Sequence, residues 1–425
     1  MQSQRRASLS FIFVTLVLDV LGIGLIIPVA PKLVAQVMGY TEAEEAKASL
    51  ASGALIATYA AMQFIFAPIL GALSDRFGRR PVILVALLGS GLDYFAMALA
   101  PSLTWLFITR ALNGISGASI TACTAYIADV TPPEKRAAGF GLIGAAFGLG
   151  FVFGPLLGGW LGHYDLRLPF VVAGGLTLVA WLYGLLVLPE SLPPEKRGKF
   201  SLAEASPVRA LVGLSKRPVV NRLALTQFLV QMAQFSLQAT WVLYTAAHYG
   251  WGTFEVGMSL AVVGLTAAAV QGGLARKLIP KLGEGRSLVI GLTIGAVAYA
   301  CYALAPYGWM IYGIIAVASL GAIAQPAGTA LVSKNTPPTE QGVVQGSLTA
   351  LQAVAQILGA LMGGALLKAF TAEGAPVQFP GAPLIASSLL CLLGMLNALA
   401  VVRGINARAR AAEALAVASG GVTSR

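Results

Sequence analysis

The sequence predicts an all-α integral membrane protein whose twelve transmembrane helices form two six-helix pseudo-repeats. Three observations carry this expectation. The 425 residues are 57% hydrophobic and only 11% charged, with a mean hydropathy of +0.79, which leaves too little polar surface to cover a water-soluble globule of this size. Apolar stretches of about 20 residues, the length a helix needs to cross a hydrocarbon core of about 30 Å, recur between polar or Gly/Pro breaks along almost the whole chain. The chain also matches itself at an offset of 205. Ala100-Pro101 falls on Ala305-Pro306, Thr131-Pro132-Pro133 on Thr336-Pro337-Pro338, and FGPLLGG (Phe153 to Gly159) on LGALMGG (Leu358 to Gly364). Three matches in one register describe a duplicated unit, an arrangement secondary transporters build around a midplane cavity.

The expected spans of the first half are Leu9 to Ala30, Leu50 to Leu73, Pro81 to Ala100, Leu103 to Ala128, Ala137 to Leu161 and Leu168 to Leu188. Those of the second are Val219 to Ala247, Val256 to Ala275, Leu288 to Ala305, Met310 to Val332, Gly342 to Leu367 and Pro383 to Val402. The organisation that follows is a six-helix bundle over 1–188, an inter-half linker over 189–218, a second bundle over 219–402 and a tail over 403–425. The linker is the longest polar interval, with PESLPPEKRGKF and SKRP in it. The first span is too long for a signal-peptide core and lacks a small-residue cleavage site, so it reads as a retained helix.

A net charge of +11 raises the question of nucleic acid. Sorting the basic residues by loop answers it. With the N-terminus on the cytoplasmic side, only Lys32, Lys47, Arg167 and Lys368 fall in outer loops and Arg110 within a helix; the rest of the 28 Lys and Arg lie on inner segments. That is the positive-inside asymmetry. It predicts a multi-pass protein of the cell (inner) membrane with both termini cytoplasmic, and no nucleic-acid partner. Cys123, Cys301 and Cys391 show no metal-like or paired spacing, and His163 and His248 are far apart in sequence, so no metal site is expected. The chain has no GxxxxGK[ST], which argues against ATP as energy source. A GxGxxG string at Gly139, Gly141 and Gly144 opens an apolar helix with no strand before it and reads as helix packing. No cofactor is expected, nor the nucleophile or metal constellation of an enzyme.

Well inside the spans stand three ionisable residues, Asp19, Asp93 and Arg110. A charge near the bilayer centre costs about 2.5 to 3.5 kcal/mol even on the lenient insertion scale, so each needs a partner, water or a function. At a rise of 1.5 Å per residue, Asp19 and Asp93 lie roughly 15 Å from the cytoplasmic edge and Arg110 roughly 10 Å from the outer one, close to a common level. Two readings are open: a static pair locking helices together, or a carboxylate that binds and releases a proton beside a moving guanidinium. At offset 205 their counterparts are Ala224, Ala298 and Ile315. The second half offers amides instead. Gln227, Gln231, Gln234 and Gln238 form one stripe on helix 7, and Gln352 and Gln356 repeat the i, i+4 spacing on helix 11. Such a stripe cannot face lipid; it either lines a wet cavity with Gln63 and Asn113 or hydrogen-bonds helix 7 to its neighbours.

The loop GALSDRFGRRPV, from Gly71 to Val82, resembles the signature loop of the major facilitator superfamily. The resemblance implies a conformational latch made of Gly71, Asp75, Arg76, Gly78, Arg79 and Arg80, with Asp129 at the end of helix 4 as partner. RALNG, from Arg110 to Gly114, is similar to the helix 4 motif RxxxG, whose arginine the family links to proton transfer. GFVFGPLLGG resembles the helix 5 antiporter motif, with Gly150, Gly154, Pro155, Gly158 and Gly159 permitting close packing and bending. LDVLGIGLIIPVAP, with Asp19, and LPES, from Leu188 to Ser191, are similar to helix 1 and the end of helix 6 in the drug/proton antiporters. Within that group MQFIFAPILGALSDRFGRRPV, GLDYFAMALAP and AYIADVTPPEKRAAGFG resemble the tetracycline exporters, and the likeness covers nearly the whole chain. Several of those exporters carry an acid in helix 9 and some a histidine in helix 8, where this chain has Gly295 and Ala267.

The resemblance therefore implies a monomeric, proton-coupled antiporter that exports an amphiphilic drug, tetracycline or its metal chelate among the candidates, by alternating access. A proton symporter or facilitator of a nutrient is the rival on the same fold. A non-transporting receptor or scaffold is the rival of another class.

Overall fold

The computed structural model describes residues 2–116, 119–131, 136–197, 218–337, 341–375 and 377–420, and among them there is no strand. The first half comprises α1 (Gln2–Ile26), α2 (Ala30–Val37), α3 (Ser49–Phe77), α4 (Arg79–Ala98), α5 (Leu103–Ser116), α6 (Ser119–Val130), α7 (Arg136–Tyr164) and α8 (Leu168–Val187). The second comprises α9 (Pro218–Tyr249), α10 (Thr253–Ala269), α11 (Ala275–Leu282), α12 (Glu284–Leu304), α13 (Gly308–Ser319), α14 (Ala324–Lys334), α15 (Gln341–Thr371) and α16 (Ala382–Gly420). The expected linker lies largely outside the described residues.

Among the described residues, every expected span falls largely on helix. Eight helical segments among the described residues are long and apolar enough to cross a membrane, and α1 with α2 makes a ninth, bent by 45°. The bend follows from Pro28 and Pro31, which supply no N–H to a continuous helix. The remaining expected spans are α5 with α6, the 32-residue α9, whose glutamines dilute its hydropathy, and the 17-residue α10. Past α10 the chain passes through a π turn, Val270–Leu274, into α11, and a 3₁₀ turn, Leu320–Ile323, joins α13 to α14. One boundary differs from expectation. α16 does not end near Val402 but continues to Gly420, because the segment after the apolar stretch is rich in Ala with several Arg, which favour helix in water as well.

Lipid tails are as apolar as side chains, so packing inside a bilayer rests on close backbone approach at small residues. The duplicated glycines provide it. A Cβ at Gly154 would lie 2.7 Å from the Gly24 Cα, and one at Gly158 2.8 Å from the Leu25 Cα, so this face of α7 rests on α1. Their images 205 residues later, Gly359 and Gly363, rest on α9, where a Cβ at Gly363 would stand 2.9 Å from the Ser236 carbonyl oxygen. Gly159 turns to the other side, and its Cβ would lie 3.0 Å from the Gly257 Cα of α10. A Cβ at its image Gly364 would lie 2.5 Å from the Ser49 carbonyl oxygen of α3. The α7–α10 and α3–α15 contacts thus join the halves about a pseudo-twofold relation.

Four polar contacts bridge the halves at this same end. Lys32 Nζ donates to the Trp251 carbonyl at 3.2 Å, Lys47 Nζ pairs with Glu373 at 3.0 Å, Ser49 Oγ donates to the Gly364 carbonyl at 2.9 Å and Thr253 Oγ1 to the Gly159 carbonyl at 3.0 Å. At the opposite end of the same helices, Gly71, Gly144, Gly148, Gly273 and Gly346 would direct a Cβ into open space. Gly144 therefore packs nothing, contrary to the helix-packing expectation; Gly139 and Gly141 lie outside the residues whose surroundings are described. The halves converge at the Lys32 end and spread at the Gly71 end.

Candidate coupling and transport site

Asp93 and Arg110 face each other across α4 and α5, with Arg110 Nη2 3.6 Å from Asp93 Oδ2. Asn113 lies three residues beyond Arg110, on the same face of α5, and its Nδ2 donates to that same Oδ2 at 2.8 Å. Asp93 Oδ1 and Arg110 Nε are buried with no hydrogen-bond partner among the described residues. Arg110 also points Nη2 at the Met97 sulfur and stands 6.0 Å from the centroid of the Tyr59 ring on α3. Tyr59 in turn explains the glycine of RALNG. A Cβ at Gly114 would lie 2.6 Å from the Tyr59 carbonyl oxygen, so the helices touch there and hold Arg110 over the ring.

Asp19 is buried on α1. Tyr59 and Tyr94 both lie within electrostatic reach of Asp19, Asp93 and Arg110. Gly22, one turn beyond Asp19, directs its missing Cβ to 3.5 Å from Tyr94 and from Thr177 Oγ1, setting α1 against α4 and α8. The structure thus brings the three ionisable residues of the spans into one neighbourhood. A buried carboxylate with one oxygen facing a guanidinium and the other unpaired is able to take up a proton without first breaking a full set of hydrogen bonds.

The signature loop forms a second polar site. Arg79 Nη1 pairs with Asp75 at 2.6 Å and donates to Ser74 Oγ at 2.7 Å, while its Nε reaches Asp129 Oδ2 at 3.1 Å. Arg80 Nη2 donates to the Leu185 carbonyl at 2.9 Å. Arg76 stacks over Phe77 and makes none of these contacts; a Cβ at Gly71 would point into open space. Sequence reasoning left Glu190 without a role, although it stands in the LPES motif. Its carboxylate accepts from the Arg79 and Arg80 backbone N–H groups at 2.9 and 3.3 Å, and from those of Ser191 and Leu192 at 2.9 and 3.0 Å. It serves as the N-terminal cap of α4. Gly78 makes room for it, at φ +105° and with its missing Cβ directed at that carboxylate. Ser191 Oγ closes the cluster on Asp129 at 3.1 Å.

The glutamines divide. Gln234 Oε1 accepts from Tyr299 of α12 at 2.9 Å, so it ties helices within the second half. Gln63 donates to the Tyr59 hydroxyl at 3.3 Å, at the edge of the charge cluster. Gln227 and Gln231 are half-buried and Gln238 is exposed, and helical periodicity puts them opposite Met232 and Ser236, which carry the contact with α15. Gln356 is half-buried and Gln352 exposed. These five make no side-chain hydrogen bond among the described residues. No group of three or more His, Cys, Asp or Glu capable of holding a metal occurs among the described residues.

Paired helical bundles, glycine-packed at one end and spread at the other, with buried charge in one bundle and amides in the next, define a secondary transporter and not an enzyme. The chain belongs to the major facilitator superfamily, whose family model matches residues 12–360 and 278–418. It is 38% identical over 350 residues, 82% of this chain and 86% of its relative, to the tetracycline resistance protein, class C, of Escherichia coli. It is 37% identical over 351 residues, 81% of this chain and 86% of that one, to the class G protein of Vibrio anguillarum. Among solved structures it resembles the human organic anion transporter MFSD10 (TETRAN), at TM-score 0.68 and 26% identity over 93% of this chain and 99% of that one. It also shares the fold of a bacterial homolog of the human lysosomal transporter Spinster in an inward-facing, unoccupied conformation, at TM-score 0.75 and 18% identity over 95% and 98% of the two chains.

Proposed function

We propose that this transporter is a proton-coupled antiporter that exports a tetracycline-like amphiphile from the cell, as the free drug or a metal chelate, by alternating access. The observation that carries the reading is the loose Asp93–Arg110 pair with Asp19 close by, all in one half. A proton taken up at a carboxylate cancels its attraction for Arg110 and frees the guanidinium, so protonation changes which helices are held together. The second half contributes Gln227, Gln231 and Gln238, neutral groups suited to hydrogen-bonding a polar drug without competing for the proton. With the N-terminus cytoplasmic, the closed Lys32 end is extracellular and the open Gly71 end faces the cytoplasm, so the cavity stands ready to load cargo. Relatives named for tetracycline resistance support the cargo class.

A cargo other than tetracycline itself is favoured by one observation. Gly295 stands where several tetracycline exporters carry an acid, and its missing Cβ points at the Cys391 sulfur at 3.5 Å, an apolar neighbourhood in the packed α12–α16 contact. Drug accumulation in cells expressing the protein tests both readings. Lowered accumulation of tetracycline or another amphiphile, restored by a protonophore, is expected; accumulation unchanged across a broad drug panel would overturn the export reading.

A further inference from the structure

The duplicated register sets two kinds of side chain at one pair of positions. Phe147 and Phe151 of α7 are the images, 205 residues earlier, of Gln352 and Gln356 of α15. Each pair is spaced i, i+4 and so shares one face of its helix. The two phenyl rings are stacked, with centroids 6.2 Å apart and planes 17° from parallel. Phe151 is exposed and Phe147 half-buried, so the pair is not sealed inside a core.

What the rings meet follows from the contacts around α7. Gly150 and Gly154 rest on α1, where an added Cβ would lie 2.6 Å from Val20 and 2.7 Å from Gly24. Val152 and Gly159 meet α10 at Gly264 and Gly257. Leu149, Phe153, Leu157 and Trp160 form an exposed stripe on the far side, the face suited to lipid. At 3.6 residues per turn, Phe147 and Phe151 fall in the remaining sector, between the α1 and α10 contacts. Gly144 and Gly148 share that sector, and an added Cβ at either meets open space. The images agree, because Gln352 and Gln356 occupy the same sector of α15, between its contacts with α9 and α3, where amides belong in a wet cavity and not in lipid. Since Gly150 lies against Val20 and Gly154 against Gly24, α1 and α7 run in parallel, and Asp19 is level with Leu149, between the two rings.

We propose that Phe147 and Phe151 form an aromatic shelf on one wall of the central cavity, which carries the flat face of an aromatic ring system while Gln352 and Gln356, on the pseudo-twofold-related wall, hydrogen-bond its polar edge. This rests on the export reading and narrows the cargo to planar aromatic molecules bearing hydroxyl or amide groups along one side. Offset stacking on the shelf rewards a flat ring over an equally apolar aliphatic body. A ring held there lies at the level of Asp19, beside a carboxylate that the export reading uses for the proton.

The test titrates tetracycline and doxorubicin, two flat-ringed probes with polar edges, onto the full-length protein in nanodiscs. Phe147→Leu and Phe151→Leu keep apolar bulk but remove the ring, and each is expected to weaken binding about three- to tenfold. Phe151→Trp is expected to bind within about twofold of the parent, as is Phe153→Leu on the lipid stripe. A second arm locates the shelf without cargo. In a Cys301→Ser background, Phe151→Cys is expected to react with a membrane-impermeant maleimide at least about tenfold faster than Phe153→Cys, and bound probe to slow that reaction. The proposal is overturned if the two cysteines react alike, which would put Phe151 in lipid, if both leucine variants bind the probes like the parent, or if the parent binds neither probe. Drug-driven proton movement in proteoliposomes separates the two ideas. Movement retained with leucine variants that bind like the parent overturns the shelf and leaves the export reading standing; weakened binding in those variants, with no proton movement in the parent, supports the shelf and overturns proton-coupled export.

Discussion

Asn113 donates its hydrogen bond to the same oxygen of Asp93 that faces Arg110, 2.8 Å away, and leaves the other carboxyl oxygen buried and unpaired. A buried pair held this loosely stabilises little in net terms, yet losing one member strands a charge. Asp93→Leu or Arg110→Leu is therefore expected to destabilise the protein by about 3 kcal/mol or more, and the double replacement by clearly less than either alone. Thermal unfolding in detergent measures this; a double variant as unstable as the sum of the singles would show that the two side chains do not act on each other.

Gly158 and Gly363 are images, and each lets one helix backbone rest on the next. Alanine at either forces backbone apart and is expected to cost about 1–3 kcal/mol. Alanine at Gly144 or Gly346, which face open space, gains helix propensity and is expected to be neutral or stabilising by up to about 1 kcal/mol. Melting of the four variants side by side checks the contrast, and equal effects at packed and open glycines would refute the packing assignment.

Glu190 gathers four backbone N–H groups, two of them at the start of α4. Glu190→Ala removes cap and charge together and is expected to cost about 1–2 kcal/mol. Amide exchange should rise locally at residues 79–82. Protection there unchanged from the parent would mean that another group caps the helix.

Gln234 and Gln231 lie on one stripe of α9 but differ in their partners. Gln234→Leu breaks the bond from Tyr299 and is expected to lower stability by about 1 kcal/mol with little change in the KM for transported drug. Gln231→Leu should raise KM severalfold and leave melting unchanged. The reverse pattern would make Gln234 the drug contact and Gln231 the tie between helices.

Much of this was legible in the sequence because a bilayer makes chemistry conspicuous. Asp19, Asp93 and Arg110 stood out since little else in the spans carries charge, and a rise of 1.5 Å per residue brought them near one level before any helix was placed. The 205-residue register foretold that Gly154, Gly158 and Gly159 and their images would occupy equivalent places. Other features needed three dimensions. Glu190 follows α8 by a few residues and caps a helix begun 111 residues earlier, a contact no local pattern encodes. Tyr59 reads as an ordinary apolar-face aromatic, and only the approach of Gly114 sets it beneath Arg110. Four glutamines at helical spacing look equivalent, and the hydrogen bond from Tyr299 of α12 to Gln234 is invisible in the spacing.

The central claim is that buried carboxylates in the first half carry the proton that drives export. Proteoliposomes holding the parent, Asp19→Asn or Asp93→Asn, loaded with a pH-sensitive dye and given a drug gradient, test it in one measurement. The account predicts drug-driven proton movement in the parent and its loss in at least one variant, with that variant still folded and still binding drug. Proton movement at the parent's rate in both variants would contradict it.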